Sequence, residues 1–279
     1  MIRYADVPSD RTVMGSIKEA LNWDAAVAAV GGEQYAPMLQ LRGLELDVCA
    51  LEQEIAAFYQ NTGRMTWRSQ DDSPVSGAAL AYDPTAPREE WLAGSFGHPR
   101  YRQTEDYYAA VQSDQRNRRK GDYLDSLCFR RLHPDLQKYP ALWALLNSFS
   151  VPVARVTVRT VAGHAAPPSR YGDLGFHTDD SPFELMRLNI AIHNDGAFGL
   201  EYEDGTLVRM VSGRNAIVNT HVPHRVHVAR HTLCARTHLV IGLVPWLTYD
   251  ETTDSWASSR YFGKVHPFDM VRQGLLFRG

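Results

Sequence analysis

The chain has 279 residues, 44% hydrophobic and 22% charged, with a formal net charge of −3. This is enough apolar material for a sizeable core in one large or two small domains, without covalent staples. Near-neutral charge with no long basic run argues against nucleic acid or an anionic membrane surface as partner. No apolar run nears the ~20 residues of a membrane helix, and MIRYADVPSDR at the start has no signal-like apolar stretch. The three scattered cysteines, Cys49, Cys128 and Cys234, form no CxxC pair, so a cytoplasmic compartment is expected rather than a disulfide framework or Cys-rich zinc site.

Residues 1–150 read as a mostly helical supporting region that also provides a substrate lid. Val13, Ile17, Leu21, Ala25 and Ala28 recur at roughly helical spacing through 12–30, which ends at Gly31-Gly32. Residues 46–59 repeat the pattern, with Gly63 beyond them. The connection 70–95, rich in Asp, Pro, Ser and Gly, reads as exposed, of the kind that forms lids or binding loops. Thr104 caps an expected helix over 104–119, and QRNRRK at 115–120 reads as a solvated basic face. A short helix is expected over 139–149, with Pro140 in its first turn.

After Pro152 the texture changes. Apolar and polar residues alternate over 153–161, 186–193 and 207–211, and 216–219, 226–229 and 237–246 are also strand-like. Turns containing Gly196, Gly205 and Gly213 separate them, the spacing of a sandwich or barrel. An α+β chain follows, in which 151–250 form a β core on the helical region and 251–279 a C-terminal extension with a closing helix at 266–276. The three parts are expected to pack as one compact unit.

Eight of the 11 histidines fall between His164 and His238. In Gly175-Phe176-His177-Thr178-Asp179-Asp180, an extended backbone puts His177 and Asp179 on one face and Asp180 on the other. An imidazole and a carboxylate on one face supply two of the three ligands of a 2-His-1-carboxylate set. That set suits non-haem Fe(II) and leaves positions open for a co-substrate and O2. The third ligand is a distant histidine, and Asn219-Thr220-His221-Val222-Pro223-His224 offers two, three positions apart, of which an extended chain can turn only one inward. Arg236 opens the apolar strand that follows. A guanidinium inside a barrel needs a carboxylate, which its fork matches; a dicarboxylate such as 2-oxoglutarate could meet the metal at one end and Arg236 at the other. Arg187 is a second inward cation, and Asn189 and His238 share the faces of Arg187 and Arg236.

The stretch from His177 to Leu243, about a quarter of the chain, resembles the aspartyl/asparaginyl β-hydroxylase branch of Fe(II)/2-oxoglutarate dioxygenases, which includes the L-proline cis-4-hydroxylases. The matching residues are His177 and Asp179, Met186-Arg187-Leu188-Asn189-Ile190, the Gly213 turn with its strand to Val218, Val222-Pro223-His224, and Arg236-Thr237-His238-Leu239-Val240. Asn189 stands where the family often has His, and the interval from His224 to Arg236 is slightly longer than usual. The resemblance implies a double-stranded β-helix (jelly-roll, cupin-like) core, with His224 rather than His221 as the distal ligand. It also implies Arg236 at the far carboxylate of 2-oxoglutarate, and an oxidised amino acid or natural-product intermediate as the small-molecule substrate. Asp180 and His221 are candidates for orienting the ligands; His193, His227 and His231 read as structural or surface residues. Arg170 and Tyr171 are candidate substrate contacts or parts of a rim loop. Other readings are a cupin-like hydrolase or isomerase using the same ligands, and a non-catalytic binding barrel. No GxSxG, GxxxxGK[ST] or GxGxxG motif is present, which removes the simplest hydrolase, P-loop and Rossmann readings.

Overall fold

The computed structural model describes residues 1–7, 12–32, 38–66, 75–92, 126–163, 176–228 and 234–278. The helices are α1 (Val13–Ala20), α2 (Trp23–Ala29), α3 (Val48–Thr62), α4 (Pro140–Asn147) and α5 (Pro267–Arg272). The strands of the first half are β1 (Ile2–Arg3), β2 (Met38–Leu39), β3 (Met65–Thr66), β4 (Val75–Ala79), β5 (Ala81–Tyr82) and β6 (Arg131–Leu132). Those of the second half are β7 (Val153–Val161), β8 (Met186–His193), β9 (Phe198–Tyr202), β10 (Leu207–Arg209), β11 (Asn215–Val218), β12 (His224–Val228), β13 (Arg236–Leu243), β14 (Leu247–Asp250) and β15 (Ser255–Ser258).

Local chemistry sets the helix ends. Thr12 accepts from the Gly15 N–H at 2.9 Å and starts α1, whose Val13 and Ile17 are buried. The single helix expected over 12–30 is two, because Asn22 takes a left-handed conformation (φ 49°) between them. Asp47 caps α3, which buries Leu51, Ile55, Phe58 and Tyr59 along one stripe and ends at Gly63. Glu54 on α3 accepts from the Ala141 and Leu142 N–H groups at 2.9 and 2.8 Å, capping α4 from a neighbouring helix.

The main sheet runs in the order β2-β11-β8-β13-β7-β4-β3, and a second sheet in the order β10-β9-β12. From β8 to β13 the chain thus passes back and forth between two facing antiparallel sheets, with β8, β11 and β13 in one and the β9–β10 hairpin and β12 in the other. This is the winding of a double-stranded β-helix. Alternation assigns the two faces of the main sheet. Ala154, Val156 and Val158 of β7, Leu188 and Ile190 of β8, and Leu239 and Ile241 of β13 join the large core that includes α3 and α4. Thr157 and Arg159, Arg187 and Asn189, and Arg236 and His238 occupy the opposite face, inside the barrel.

The connection expected over 70–95 is a correction. Its residues 75–79 form β4, hydrogen-bonded along β7, and Ala78, Ala79, Leu80 and Ala81 are buried. Small residues are what this strand requires: a Cβ on Gly77 would sit 2.1 Å from the Val158 carbonyl oxygen. The expected helix at 104–119 and the basic cluster at 115–120 lie outside the described residues.

Candidate metal centre

The site begins with one cross-strand pair. His177 and His224 exchange both backbone hydrogen bonds, each at 3.0 Å, and so stand directly opposite on neighbouring antiparallel segments. Their rings lie side by side with centroids 4.6 Å apart. Asp179, two residues beyond His177, is held by its N–H to the Thr220 carbonyl at 2.7 Å. Ligand atoms of His177, Asp179 and His224 all lie within 4.8 Å of one another, and this is a cluster able to hold a metal ion among the described residues. Nε2 of His177 and Nε2 of His224 are 3.8 and 3.7 Å from Oδ2 of Asp179. Donors at about 2.1 Å from one ion stand no more than about 4.2 Å apart, so each imidazole can share an ion with the carboxylate.

Protonation states favour ligation. The ring Nδ1 of His224 lies 3.0 Å from the Val222 carbonyl, which fixes the proton on Nδ1 and turns the Nε2 lone pair toward Asp179. Burial pulls the His224 pKa down to about 4, only partly opposed by the Asp179 charge, so the ring is neutral at neutral pH. Burial raises the Asp179 carboxyl, but the Arg187 guanidinium, with His177, His224 and Arg155, outweighs it and holds the group well below the usual carboxylate range. An ionised carboxylate and a neutral imidazole are the ligating forms.

Arg187 supports this state directly. Its Nη1 donates to Oδ2 of Asp179 at 2.6 Å and its Nη2 to Oδ2 of Asp180 at 3.2 Å. Asp180 was expected on the opposite face; instead both carboxylates meet one guanidinium, because the backbone leaves the extended ladder after His177. Asp180 also accepts from Ser126 Oγ at 3.1 Å and from Arg155 Nη1 at 3.1 Å. Asp180 therefore acts on Asp179 through Arg187 and touches neither imidazole ring.

Arg155 reaches this point through a bulge. Thr157 pairs with Val240 and Ala154 with Gly242, leaving one extra residue in β7, and Arg155 takes φ 51° there. Gly242 sits in β13 between the strands that carry Arg187 and Arg155, where a Cβ would lie 2.3 Å from the Ala154 carbonyl oxygen.

Arg236 is buried on the inner face of β13, its guanidinium 5.7 Å from the centre of the Phe198 ring. Asn189 lies two residues along β8 from Arg187, opposite Val240, and His238 lies opposite Ala191 and Arg159. His221 lies in the turn before β12, its N–H bonded to the Asn219 side chain at 3.1 Å, outside the donor cluster. His193 is exposed beside Glu52 at 3.3 Å, and His227 meets Glu201 at 3.1 Å; His231, Arg170 and Tyr171 lie outside the described residues. Sequence reasoning missed Arg155, Thr157 and Arg159. Their signal was present, since alternation in VARVTVRTV puts Thr157 and Arg159 on the face opposite the buried valines.

Neither family models nor curated proteins match the chain. Among solved structures it is similar to the non-haem α-ketoglutarate-dependent carbocyclase SnoK from nogalamycin biosynthesis. That match has 11% identity over 88% of this chain and 87% of the other, with a TM-score of 0.38. It is also similar to the α-ketoglutarate-dependent epimerase SnoN of the same biosynthesis (10%, 80% and 82%, 0.36). A third is a prolyl hydroxylase from Trichoplax adhaerens in complex with a hypoxia-inducible-factor peptide fragment (10%, 86% and 94%, 0.35). Among the described residues, no helix is long and apolar enough to cross a membrane.

Proposed function

We propose that this chain is an Fe(II)- and 2-oxoglutarate-dependent oxygenase that oxidises a C–H bond of a small polar substrate, an amino acid or a natural-product intermediate. The observation that carries the reading is the convergence of His177, Asp179 and His224 inside a double-stranded β-helix. The order of sequence motifs shared with the aspartyl/asparaginyl β-hydroxylase branch supports it. The donor set fits ferrous iron, because two imidazoles and one carboxylate would hold the metal and leave coordination positions open for a co-substrate and O2. Ferrous iron bound there, with 2-oxoglutarate and O2, supplies the oxidant for the substrate C–H bond.

The side chains of this protein perform the remaining tasks. The Val222 carbonyl orients the His224 ring, and Arg187 keeps Asp179 ionised and fixed in direction. Arg236, buried on the inner face of β13, supplies positive charge for the far carboxylate of the co-substrate. Asn189 and His238 line the chamber between these ends.

Adding Fe(II) and 2-oxoglutarate to the full chain without oxygen tests the reading. A weak visible charge-transfer band is expected, and on admission of O2 the protein alone forms succinate slowly from 2-oxoglutarate. Absence of both signals would exclude the proposal.

A further inference from the structure

The metal centre has an open side. The side chains of His177, Asp179, Asp180 and Arg155 keep 17–23% of their surface exposed, whereas those of His224 and Arg187 keep 5 and 9%. Solvent therefore reaches the centre along the face where Arg155 stands, and a substrate approaches along the same face.

Arg155 is aimed there at a conformational cost. It takes φ 51° in an otherwise extended strand, held by its N–H to the Phe129 carbonyl at 2.8 Å. A non-glycine residue in this conformation is uncommon, and a bulge serves to re-aim one side chain. The guanidinium is then used on one side alone. Nη1 donates to Ser126 Oγ at 3.0 Å and to Oδ2 of Asp180 at 3.1 Å. Nε is buried without a partner, and Nη2, which is not buried, makes no hydrogen bond among the described residues. The Nε–Nη2 edge carries two parallel N–H groups that match the two oxygens of a carboxylate. Arg130 uses that edge on Asp254, with both bonds at 2.6 Å; in Arg155 it is vacant.

Charge points the same way. Asp180 serves two cations at once, Arg155 and Arg187. Burial, with Arg187 close by, outweighs Asp180 and Asp179 and pulls Arg155 below the ordinary arginine value, so its positive charge is short of compensation. Nor does Arg155 stand at the end of the barrel given to the co-substrate: Arg236 is opposite Val161, six residues further along β7. Three hydrogen bonds in series, from Arg155 to Asp180 to Arg187 to Asp179, separate its fork from the metal ligand. The fork is thus within roughly 10 Å of that ligand, a distance that a substrate of amino-acid size can bridge.

We propose that the Nε–Nη2 edge of Arg155 anchors a carboxylate of the substrate, so that the molecule oxidised is a carboxylic acid held by its acid group beside the metal. This rests on the oxygenase reading above and adds the charge of the substrate and the residue that selects it. Asp180 and Ser126 hold the other side of the fork in place. An arriving carboxylate gives the orphaned Nε–H an acceptor and supplies the missing charge, so it is preferred over a neutral acceptor of the same shape.

The test uses the full chain with Zn2+ in place of ferrous iron, saturated with 2-oxoglutarate and titrated with butanoate and with butanamide, its uncharged analogue. The guanidinium nitrogen-15 signals of Arg155, identified by their absence in Arg155→Lys, move saturably with butanoate, and butanamide binds roughly tenfold more weakly. Arg155→Gln, checked for native melting and Zn2+ uptake, binds the two probes alike. Arg155→Lys keeps part of the preference, because the charge remains without the fork. If Arg155→Gln does not fold, the native signals and Arg155→Lys decide the matter. If butanoate leaves the Arg155 signals unmoved, or its advantage over butanamide survives in Arg155→Gln, the assignment falls while the oxygenase reading stands. If the native protein takes up neither Zn2+ nor 2-oxoglutarate, both fall together.

Discussion

Arg187 holds two carboxylates at once, Asp179 at 2.6 Å and Asp180 at 3.2 Å, and only Asp179 faces the imidazoles. Without the guanidinium, two half-buried like charges would stand side by side and Asp179 would lose its fixed direction. Arg187→Met is therefore expected to lower metal affinity 10- to 100-fold, the usual effect of losing a ligand's supporting partner. Arg187→Lys recovers only part, because a point charge cannot span both carboxylates. Competition against a chelator measures both, and native affinity in Arg187→Met would remove Arg187 from this role. The two candidate histidines separate in the same assay. His224→Ala should lose bound iron and His221→Ala retain it, and the reverse result would move the third ligand to His221. Sequence could pair His177 with Asp179 because strand alternation has a period of two. It could not choose between His221 and His224, since that depends on which residue meets His177 across the ladder. The error at Asp180 has the same origin: alternation was extended beyond His177, where the ladder with His224 ends.

β4 shows why one element was hidden from a local reading. Its sequence, Val-Ser-Gly-Ala-Ala, has one β-branched residue and follows a polar run, so by composition it reads as loop. Its strand character comes from β7, which it joins from Val75↔Val161 to Ala79↔Thr157. Only small residues allow that approach. Gly77→Ala is expected to destabilise the protein by at least the 1–3 kcal/mol typical of overpacking, because the obstructing atom is a backbone oxygen. Urea unfolding measures it, and a shift under about 0.5 kcal/mol, ordinary for an exposed substitution, would mean the two strands can separate freely. By contrast β7 and β8 match the expected 153–161 and 186–193 residue for residue. Each buries apolar residues on one face against the helices and sets polar ones inside the barrel, so the pattern survives in the sequence. The bulge at Arg155 does not, because a left-handed arginine is imposed by pairing on both sides of β7.

At the scale of the molecule, a part-buried ionic contact joins the first half to the last 30 residues. The Arg130 guanidinium grips Asp254 through two bonds of 2.6 Å, donates to the Cys128 carbonyl at 2.9 Å and lies 3.7 Å over the Tyr4 ring. Tyr249 donates to the same Asp254 at 2.6 Å. The Arg130 bonds hold the Asp254 carboxyl below its ordinary value, against a smaller opposing effect of burial. His133, packed edge-on against Phe58, is lowered by burial, partly offset by Asp135. In the unfolded chain these groups titrate near 6.5 for His and 3.9 for Asp. Both folded values are lower, so the unfolded chain binds more protons as pH falls, and stability falls with it. The histidine contribution is present above about pH 6.5 and declines as pH drops through the lowered folded value. The Asp254 contribution is present above about pH 3.9 and declines below it. Urea midpoints of metal-free protein should therefore decrease from pH 8 to pH 5 and fall again in stronger acid. His133→Asn should flatten the first decline without abolishing it, since buried His238 is lowered in the same direction. A first decline of unchanged steepness in His133→Asn would show that the charge is accommodated at that position, and the acid sensitivity would then belong to the barrel interior alone.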